Sequence, residues 1–484
     1  MNYLNLIFIC SFVINIVIIF FTLLNERREP EKTLMWILVL LISGPIGLIC
    51  YIFFGKDIRR AYLKNKNFYN IDEINKINQK SQSSFNINDR DEFTQITNLV
   101  SKLNFCPIMK NSEIKIFSNG AQKFEALKRE LNRAKHHIHM EYFIVRDDHI
   151  GNEIKNILIN KSKQGIKVRF LMDKVGCRKL SKKYINDLKE SGVEILFYSY
   201  MSTPFLKLIN TQINYRNHRK IVVIDGYTSF TGGINIGDEY LGLSSLGKWR
   251  DTHLMIKGEC TLSIQDVFIH DYLNLKRLRR ESIFQKEEIL NYFPKINNSS
   301  KETLTQIIKS GPNLSKDNII LPLIKLITSA KKSIRISTPY FIPFTGFINI
   351  LKTCILSGIE VIINFPGKPD HKLVYHASRT YLNELYNIGC KIYFYDKSSF
   401  LHSKFVIIDD NIVTVGSTNM DIRSFELNHE LNLIIYDKDI CNKFISIFNE
   451  DIENSILGNE DIFKNISHKQ IFFENISRLF SSLL

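Results

Sequence analysis

A chain of 484 residues, 44% of them hydrophobic and 23% charged, is long enough for two to four domains and a large core. Its 64 Lys and Arg outnumber 49 Asp and Glu, and the formal net charge of +15 implies an acidic partner, either nucleic acid or an anionic membrane surface, although part of the Lys excess goes with plentiful Asn and Ile as coding bias. The 8 cysteines are scattered, with no CxxC pair and no metal-ligand spacing, which suits reduced, mostly buried thiols.

Leu4 to Leu24 is an uncharged apolar run of 21 residues; the charged NERREPEKT follows, and a second apolar run extends from Leu34 to Phe54. As a helix each run reaches about 30 Å, the thickness of a bilayer core. The first run has no basic n-region, is long for a signal h-region and lacks a small-residue cleavage site. A hairpin of two transmembrane helices, about 4–24 and 34–54, is therefore expected over residues 1–60, with Ser43, Gly44, Pro45 and Gly47 making the second helix less regular. The inter-helix loop sets Arg27, Arg28 and Lys32 against three acidic residues, whereas KDIRRAYLKNK after Phe54 sets Lys56, Arg59, Arg60, Lys64 and Lys66 against Asp57. That asymmetry places the large C-terminal part on the cytoplasmic side.

Residues 61–111 are polar and weakly periodic and read as a linker with a helix or two. From Ser112 strands and helices alternate: EIKIF, a helix from Gly120 to Lys135, the strand IHMEYFIV, a helix in GNEIKNILINKSKQ, the strand IKVRFLMD, a helix in SKKYINDLKES and the strand VEILFY. This first α/β half is expected over 112–296, and turn residues in NNSSKET and SGPNLSKDN place an inter-half linker at 297–317. The same order then returns in a second half over 318–484: helix LPLIKLITSAKK, strand SIRISTPYFI, helix FINILKTCILS, strand IEVIINF, helix SRTYLNELYNI and strand KIYFYD. A repeat this long is a duplicated domain rather than a solenoid. From Gln470 an amphipathic segment aligns Phe472, Phe473, Ile476, Leu479 and Phe480, to dock on the body or lie in an interface.

Within this duplication one polar skeleton occurs twice. NHRKIVVIDGYTSFTGGIN (Asn217 to Asn235) and LHSKFVIIDDNIVTVGSTN (Leu401 to Asn419) both read H-x-K-x4-D-x6-G-[GS]-x-x-N, pairing His218 with His402, Lys220 with Lys404, Asp225 with Asp409 and Asn235 with Asn419, each pair 184 positions apart. VVIDG and VIIDD are buried strands, but strand burial does not account for His and Lys on alternate positions just upstream, where both side chains share one face. Phosphodiesters resist attack because anionic oxygens screen the phosphorus, so a site must neutralise those oxygens and activate a nucleophile. Two histidines suit that task, one attacking phosphorus and one serving the leaving group, with Lys220, Lys404, Asn235 and Asn419 as donors to one phosphate.

With these motifs, and with HHIHMEYFI, NIGDEYLG, WRDTHLMIKG, SIRISTPYFIP and SRLFSSLL, the chain resembles the phospholipase D superfamily and, within it, the membrane-anchored bacterial cardiolipin synthases. The resemblance implies an α/β fold class of two similar phospholipase D-like halves, mixed sheets flanked by helices, sharing one active site behind the membrane hairpin. It implies transfer of a phosphatidyl group between two phosphatidylglycerols through a phosphohistidine, with His218 as nucleophile and His402 as acid/base, although the motifs themselves are symmetric. Asp225 and Asp409 belong to the motif yet lie at the end of a buried strand, where a structural role is equally open. Asp251 in WRDTHL and Glu430 in NHELNL occupy similar places in the two halves and are candidates to orient the imidazoles; Glu141 is a weaker one. His429 and Asp271-Tyr272 depart from the family pattern without touching a catalytic position.

No cofactor or metal is implied, and the expected partners are phosphatidylglycerol and anionic membrane lipid rather than nucleic acid. STPFLKLINTQ, within a first-half excess of 13 residues before His218, reads as an interfacial element leading lipid to the site or as a packed loop. A phospholipase D-type hydrolase shares the first chemical step and differs in handing the intermediate to water. A membrane-tethered phosphodiesterase or nuclease would explain the basic charge but not two membrane helices, and an inactive scaffold conflicts with two intact motifs.

Overall fold

In the computed structural model residues 3–25, 30–51, 91–198, 215–279, 281, 286–296, 302–311, 314–315 and 317–481 are described. They fall into two compact units, Met1–Lys66 with Ser199–Tyr215, and Asn67–Tyr198 with Arg216–Leu484.

In the first unit, α1 (Tyr3–Asn25) is followed by α2 (Pro30–Ile42) and α3 (Gly44–Cys50). The second apolar run is thus not one helix over 34–54. It starts earlier, because Pro30 has the fixed φ that suits a first helical position, and it breaks where Gly44 adopts φ 50° ahead of Pro45. Asn15, fully buried, donates its amide to the carbonyls of Leu40 (2.8 Å) and Gly44 (3.1 Å), tying α1 to both pieces. Phe12, Val13, Ile14, Ile16, Val17, Phe20, Leu38, Ile42, Ile46 and Ile49 all point outward. Among the residues whose side chains are described, no helix is long and apolar enough to cross a membrane.

The second unit opens with α4 (Asp91–Asn104), β1 (Met109–Phe117), α5 (Gly120–Arg133), β2 (His137–Tyr142), α6 (His149–Lys163), β3 (Lys167–Asp173), α7 (Lys182–Glu190) and β4 (Glu194–Tyr198). Then come β5 (Ile221–Ile224), β6 (Thr228–Gly232), β7 (Trp249–Arg250), β8 (His253–Gly258), α8 (Glu259–Leu278) and α9 (Lys286–Leu290). The second half comprises β9 (Thr303–Ser310), α10 (Asp317–Thr328), β10 (Ser333–Ser337), β11 (Phe341–Ile342), α11 (Thr345–Leu356), β12 (Glu360–Pro366), α12 (Lys372–Tyr386), β13 (Lys391–Tyr395), β14 (Phe400–Leu401), β15 (Phe405–Ile408) and β16 (Ile412–Gly416). It closes with β17 (Met420–Asp421), α13 (Ile422–Glu426), β18 (Glu430–Tyr436), α14 (Lys438–Glu453), β19 (Ser455–Leu457), α15 (Glu460–Phe463) and α16 (His468–Leu479). Helix starts follow local chemistry: Asn119, Asp148 and Ser181 cap α5, α6 and α7 by accepting from the backbone of Gln122, Gly151 and Tyr184.

The halves do not carry separate sheets. One 15-stranded mixed sheet runs β19-β13-β12-β10-β15-β16-β18-β9-β1-β8-β6-β5-β2-β3-β4, with β9 and β1 antiparallel at its centre (Lys110 opposite Leu304). Outward from that seam each half repeats the same antiparallel strands and then a parallel trio, β2-β3-β4 or β10-β12-β13. Each half buries its own core, one around Phe124, Ile154, Phe170 and Val222, the other around Leu323, Leu351, Ile363 and Val406. β5 and β15 are apolar at every position and fully buried, as strands covered on both faces are.

Several boundaries differ from the sequence reading. The expected linker over 297–317 contains β9, a central strand, because turn-rich flanks masked a short TLTQIIKS segment. In the expected linker over 61–111, residues 91–104 form α4, whose Ile96 and Val100 enter the second core, and β1 begins at Met109; residues 61–90 lie outside the described residues. SIRISTPYFI splits into β10 and β11 around Thr338-Pro339-Tyr340, since proline cannot donate to a ladder. α16 packs on α12, where Arg379 Nε donates to Glu474 Oε1 at 2.7 Å, but the docked face carries Glu474 and Ser477 while Phe472, Phe473, Leu479 and Phe480 stay exposed. STPFLKLINTQ lies outside the described residues.

Candidate active site

Just before β5 and β15 the chain is extended, so successive side chains alternate: His218 and Lys220 face one way, Asn217 and Arg219 the other. Backbone pairing then joins each motif to the opposite half. Asn217 bridges His429 in parallel, with His218 N–H donating to His429 O at 3.0 Å. β14 pairs parallel with β7, and His402 N–H donates to Arg250 O at 2.7 Å. Both contacts lead directly into an acidic residue of the facing half, Glu430 and Asp251.

The carboxylates therefore serve the histidines crosswise. His218 Nδ1 lies 3.0 Å from both Glu430 oxygens, and His402 Nδ1 lies 2.6 Å from Asp251 Oδ2. With Nδ1 engaged on each ring, Nε2 is the nitrogen left for a reacting atom. Lys220 Nζ donates to His218 O at 2.6 Å; Lys404 Nζ donates to His402 O and lies 3.9 Å from Asp251 Oδ2. The sequence-predicted set His218, Lys220, Asp251, His402, Lys404 and Glu430 is thus brought together in one buried cluster.

Burial governs its electrostatics. It pushes His402 down to about 4, with Lys404 adding to the effect and Asp251 opposing it, and it lowers His218 against the pull of Glu430. Burial also depresses Lys220 to about 7 and lowers Lys404, despite the attraction of Glu430 and Asp251 respectively. For Asp251 and Glu430 burial acts upward, but the neighbouring lysine and histidine charges outweigh it and hold both below the ordinary carboxylate value. The cluster thus sets two anionic carboxylates among two lysines and two imidazoles that burial biases toward the neutral form.

The motif glycines and their neighbours explain themselves here. A Cβ on Gly233 would stand 2.0 Å from Asp251 Oδ1; at the matching position Ser417 donates its hydroxyl to Glu430 Oε2. Gly233→Ala is expected to displace Asp251 from His402 and lower kcat by about 10- to 100-fold while thermal unfolding moves little; unchanged kcat would show that the pocket yields. Asn235 is committed to the protein, accepting from Ile144 N–H (3.2 Å) and donating to Tyr240 OH (2.9 Å), whereas Asn419 Oδ1 is buried without a partner. Asn235 thus braces Ile144 and Tyr240 with its carbonyl and one amide N–H, which leaves its second N–H to donate, while the unpartnered Asn419 carbonyl is an acceptor and not itself a group that binds a phosphate oxygen.

Asp225 and Asp409 are placed elsewhere. Each follows its four-residue strand, about 13 Å of chain, and adopts a positive φ (53° and 49°) in the hairpin turn. Asp225 accepts from the backbone N–H of Lys135, His136 and His137 at 2.8–2.9 Å, and Asp409 from those of Lys331, Lys332 and Ser333 at 2.6–2.9 Å. Their carboxylates bracket the start of β2 and β10 and do not reach the histidines, which corrects a catalytic assignment. Asp225→Ala is expected to cost about 2–4 kcal/mol of stability through three lost acceptor contacts, with kcat of the folded fraction preserved; thermal unfolding and kinetics on the same sample check both.

Around the reacting side chains the structure gives further residues a place, among them Glu141, the weaker imidazole-orienting candidate of the sequence, which does not contact either imidazole among the described hydrogen bonds. Arg219, turned away from the imidazoles, is ion-paired with Asp271 and donates to Glu430 O (3.2 Å) and Ser310 O (2.7 Å), bracing the strand that holds Glu430. Glu141 accepts from Asn217 Nδ2 on that same hidden face. Trp249 and Phe400 wall His402, with ring centroids 5.1 and 6.0 Å away, and Phe143 stands 5.1 Å from His218. The crossing of the two halves makes neighbours of Arg219 and Glu430 and of Trp249 and His402, whereas the contacts of Asp271, Glu141, Phe143 and Phe400 lie within one half.

Comparison with known proteins gives a consistent result. The family model described as cardiolipin synthase, PLD-like domain, matches residues 127–260 and 323–452, and one described as phospholipase D-nuclease N-terminal matches residues 13–56. Cardiolipin synthase 2 of Bacillus cereus is 42% identical over 434 residues, covering 89% of this chain and 82% of its own. The cardiolipin synthase of Alkalihalophilus pseudofirmus is 40% identical over 492 residues, covering 99% and 94%. The major cardiolipin synthase of Bacillus subtilis is 37% identical over 451 residues, covering 91% of each chain. Among solved structures, phosphatidylserine synthase from Haemophilus influenzae superposes with a TM-score of 0.60 at 15% identity, covering 81% of this chain and all of that one, a likeness of fold.

Proposed function

The chain belongs to the phospholipase D-like cardiolipin synthase family, and from that premise we infer how its crossed site makes cardiolipin. Its substrate in this reading is phosphatidylglycerol, used twice, as donor and as acceptor. The observation that carries the mechanism is the pair of imidazoles whose Nδ1 atoms are each occupied by a carboxylate of the other half.

A donor phosphodiester seated between the rings brings one negative charge and draws on Lys220 and Lys404. With Lys404 so engaged its push on His402 weakens, and the 2.6 Å contact to Asp251, shorter than the 3.0 Å contact to Glu430, favours the imidazolium on His402. His218 Nε2 then attacks phosphorus, forming the P–N bond as the P–O bond to glycerol breaks, and His402 gives its Nε2 proton to the departing oxygen. The terminal hydroxyl of the second phosphatidylglycerol returns a proton to His402, its oxygen attacks phosphorus, and the P–N bond breaks to free His218. One phosphodiester is exchanged for another, so the chemistry consumes no nucleotide.

Lys220 carries a testable sign. Because burial depresses it to about 7, the free protein loses this cation as pH rises through that value. The kcat/KM for phosphatidylglycerol is expected to fall above about pH 7, and Lys220→Arg, which keeps its charge, should move that alkaline limb upward by at least one unit. A limb that stays in place would assign it to another group.

We place the catalytic unit at the cytoplasmic face of the bacterial cell membrane, with the N-terminal helices as its anchor. Supporting this are the outward apolar side chains of α1 to α3, the inward Asn15, whose amide N–H groups reach Leu40 and Gly44, and the basic segment after Phe54. The deciding experiment is product analysis of the purified protein in phosphatidylglycerol micelles without CTP or added metal. Cardiolipin and glycerol in equal amounts are expected; phosphatidic acid as sole product would refute transfer between lipids.

A further inference from the structure

The two crossings that bring each carboxylate to its histidine are braced by different ion pairs. The helices that follow β8 and β18 supply one aspartate each, Asp271 on α8 and Asp451 on α14. Asp271 takes Arg219, which belongs to the same half and stands beside His218 in its motif. Asp451 instead reaches across to the other half and takes Arg250, the residue immediately before Asp251. At the His218 crossing the residue before the carboxylate is His429, whose Nδ1 lies 3.9 Å from Asp271 Oδ1.

Arg250 and Asp451 are both buried. Arg250 Nε donates to Asp451 Oδ1 at 2.7 Å and Nη2 to Oδ2 at 2.9 Å, a two-point contact that fixes the plane of the guanidinium. The remaining nitrogen, Nη1, donates to Thr252 Oγ1 at 3.0 Å and to Ser118 O at 3.4 Å. Thr252 Oγ1 in turn shares a hydrogen bond with Ser403 Oγ at 2.7 Å, and the backbone N–H of Thr252 donates to Asp251 Oδ1 at 2.7 Å. Arg250 O accepts the N–H of His402 at 2.7 Å. One guanidinium therefore fixes both neighbours of Asp251, Arg250 and Thr252, while each of them is bonded to the segment that carries His402.

We propose that the Arg250–Asp451 pair is a positioning clamp between the halves, which sets Asp251 against His402 and so governs the proton transfers of His402 rather than the attack by His218. This rests on the transfer reaction inferred above and adds to it one pair of positioning residues. The reason is geometric. A proton passes from His402 to the departing oxygen only when Nε2 is aimed at it, and that aim is set by what holds Nδ1. The 2.6 Å contact to Asp251 is shorter than the 3.0 Å contacts to Glu430, and it is the shorter one that an ion pair between the halves flanks. The clamp thereby distinguishes two imidazoles that the motifs leave alike.

The test separates the two chemical steps. Purified full-length protein is assayed for cardiolipin in phosphatidylglycerol micelles, and for the first p-nitrophenolate released per enzyme from phosphatidyl-p-nitrophenol, whose leaving group needs no proton from His402. Arg250→Gln is expected to lower cardiolipin formation by about 10- to 100-fold with the p-nitrophenolate burst within about threefold. Arg250→Lys, which keeps the charge but loses the fork, should fall between. His402 is faced by Asp251, Lys404 and Lys220; of these Asp251 alone raises its pKa, so the lost turnover should return in part as the pH is lowered. The double variant Arg250→Met with Asp451→Met controls for folding, because an apolar pair replaces the buried ions: thermal unfolding near that of the unaltered chain is expected, with turnover still depressed. Equal falls in cardiolipin and burst would assign the pair to the fold or to donor binding. An unaffected cardiolipin rate in Arg250→Gln, or full turnover in the double variant, would leave the clamp without a task; each of these outcomes overturns the proposal. If the unaltered chain makes phosphatidic acid instead of cardiolipin, the transfer reading fails, while the same ratio read on that product still tests the clamp.

Discussion

Replacing either histidine by alanine is expected to lower cardiolipin formation by about 10⁴-fold or more, and the double variant should be no worse than either single one. Non-additivity follows from the mechanism, because nucleophile and acid/base act in the same bond-making and bond-breaking events. The two single variants should nevertheless separate on a donor whose leaving group needs no proton, such as a p-nitrophenyl phosphodiester. There His402→Ala should still form the covalent phosphoryl-enzyme and release p-nitrophenolate in a burst, whereas His218→Ala should not. A burst from His218→Ala instead would reverse the assignment of the near-identical motifs, and near-normal turnover by either variant on phosphatidylglycerol would dismantle the shared site.

The second large effect concerns the crossed carboxylates. Asp251→Asn and Glu430→Gln keep shape and burial but remove the charge that fixes each imidazole's tautomer and supports its protonation, so each should cost about 10²- to 10⁴-fold in kcat. The pH profile carries the sign. Glu430 raises the pKa of His218 and Asp251 raises that of His402, so each amide drives its partner imidazole lower still and makes the proton-bearing form harder to reach at neutral pH. Activity of Asp251→Asn should accordingly recover in part as the pH is lowered. A loss that is uniform with pH and matched by a fall in thermal stability would mean that the carboxylates hold the halves together and do no more.

Much of the catalytic chemistry was legible in the chain before any fold. Alternation places His218 with Lys220 and His402 with Lys404 on one face by strand geometry alone, and a repeat at constant offset signals two half-sites. Asp251 and Glu430 stood out because they occupy like positions. Two expectations failed for local reasons: β9 hid between turn-rich flanks, and the motif aspartates proved to be brackets for backbone amides.

The sequence by itself determined the duplication, the pairing of reacting side chains and the apolar N-terminal runs, because strand and helix periodicities are local properties of a chain. Only the tertiary structure decided which carboxylate serves which histidine, since Glu430 lies 212 positions from His218 and Asp251 lies 151 from His402. The seam between β1 and β9 and the parallel contacts of each motif with the facing half impose that exchange. The same contacts surround two chemically alike histidines with different neighbours, Trp249, Phe400 and Tyr240 about His402 and Phe143 about His218. Asymmetry of that kind arises from which distant segments pack together and is absent from the spacing of either motif.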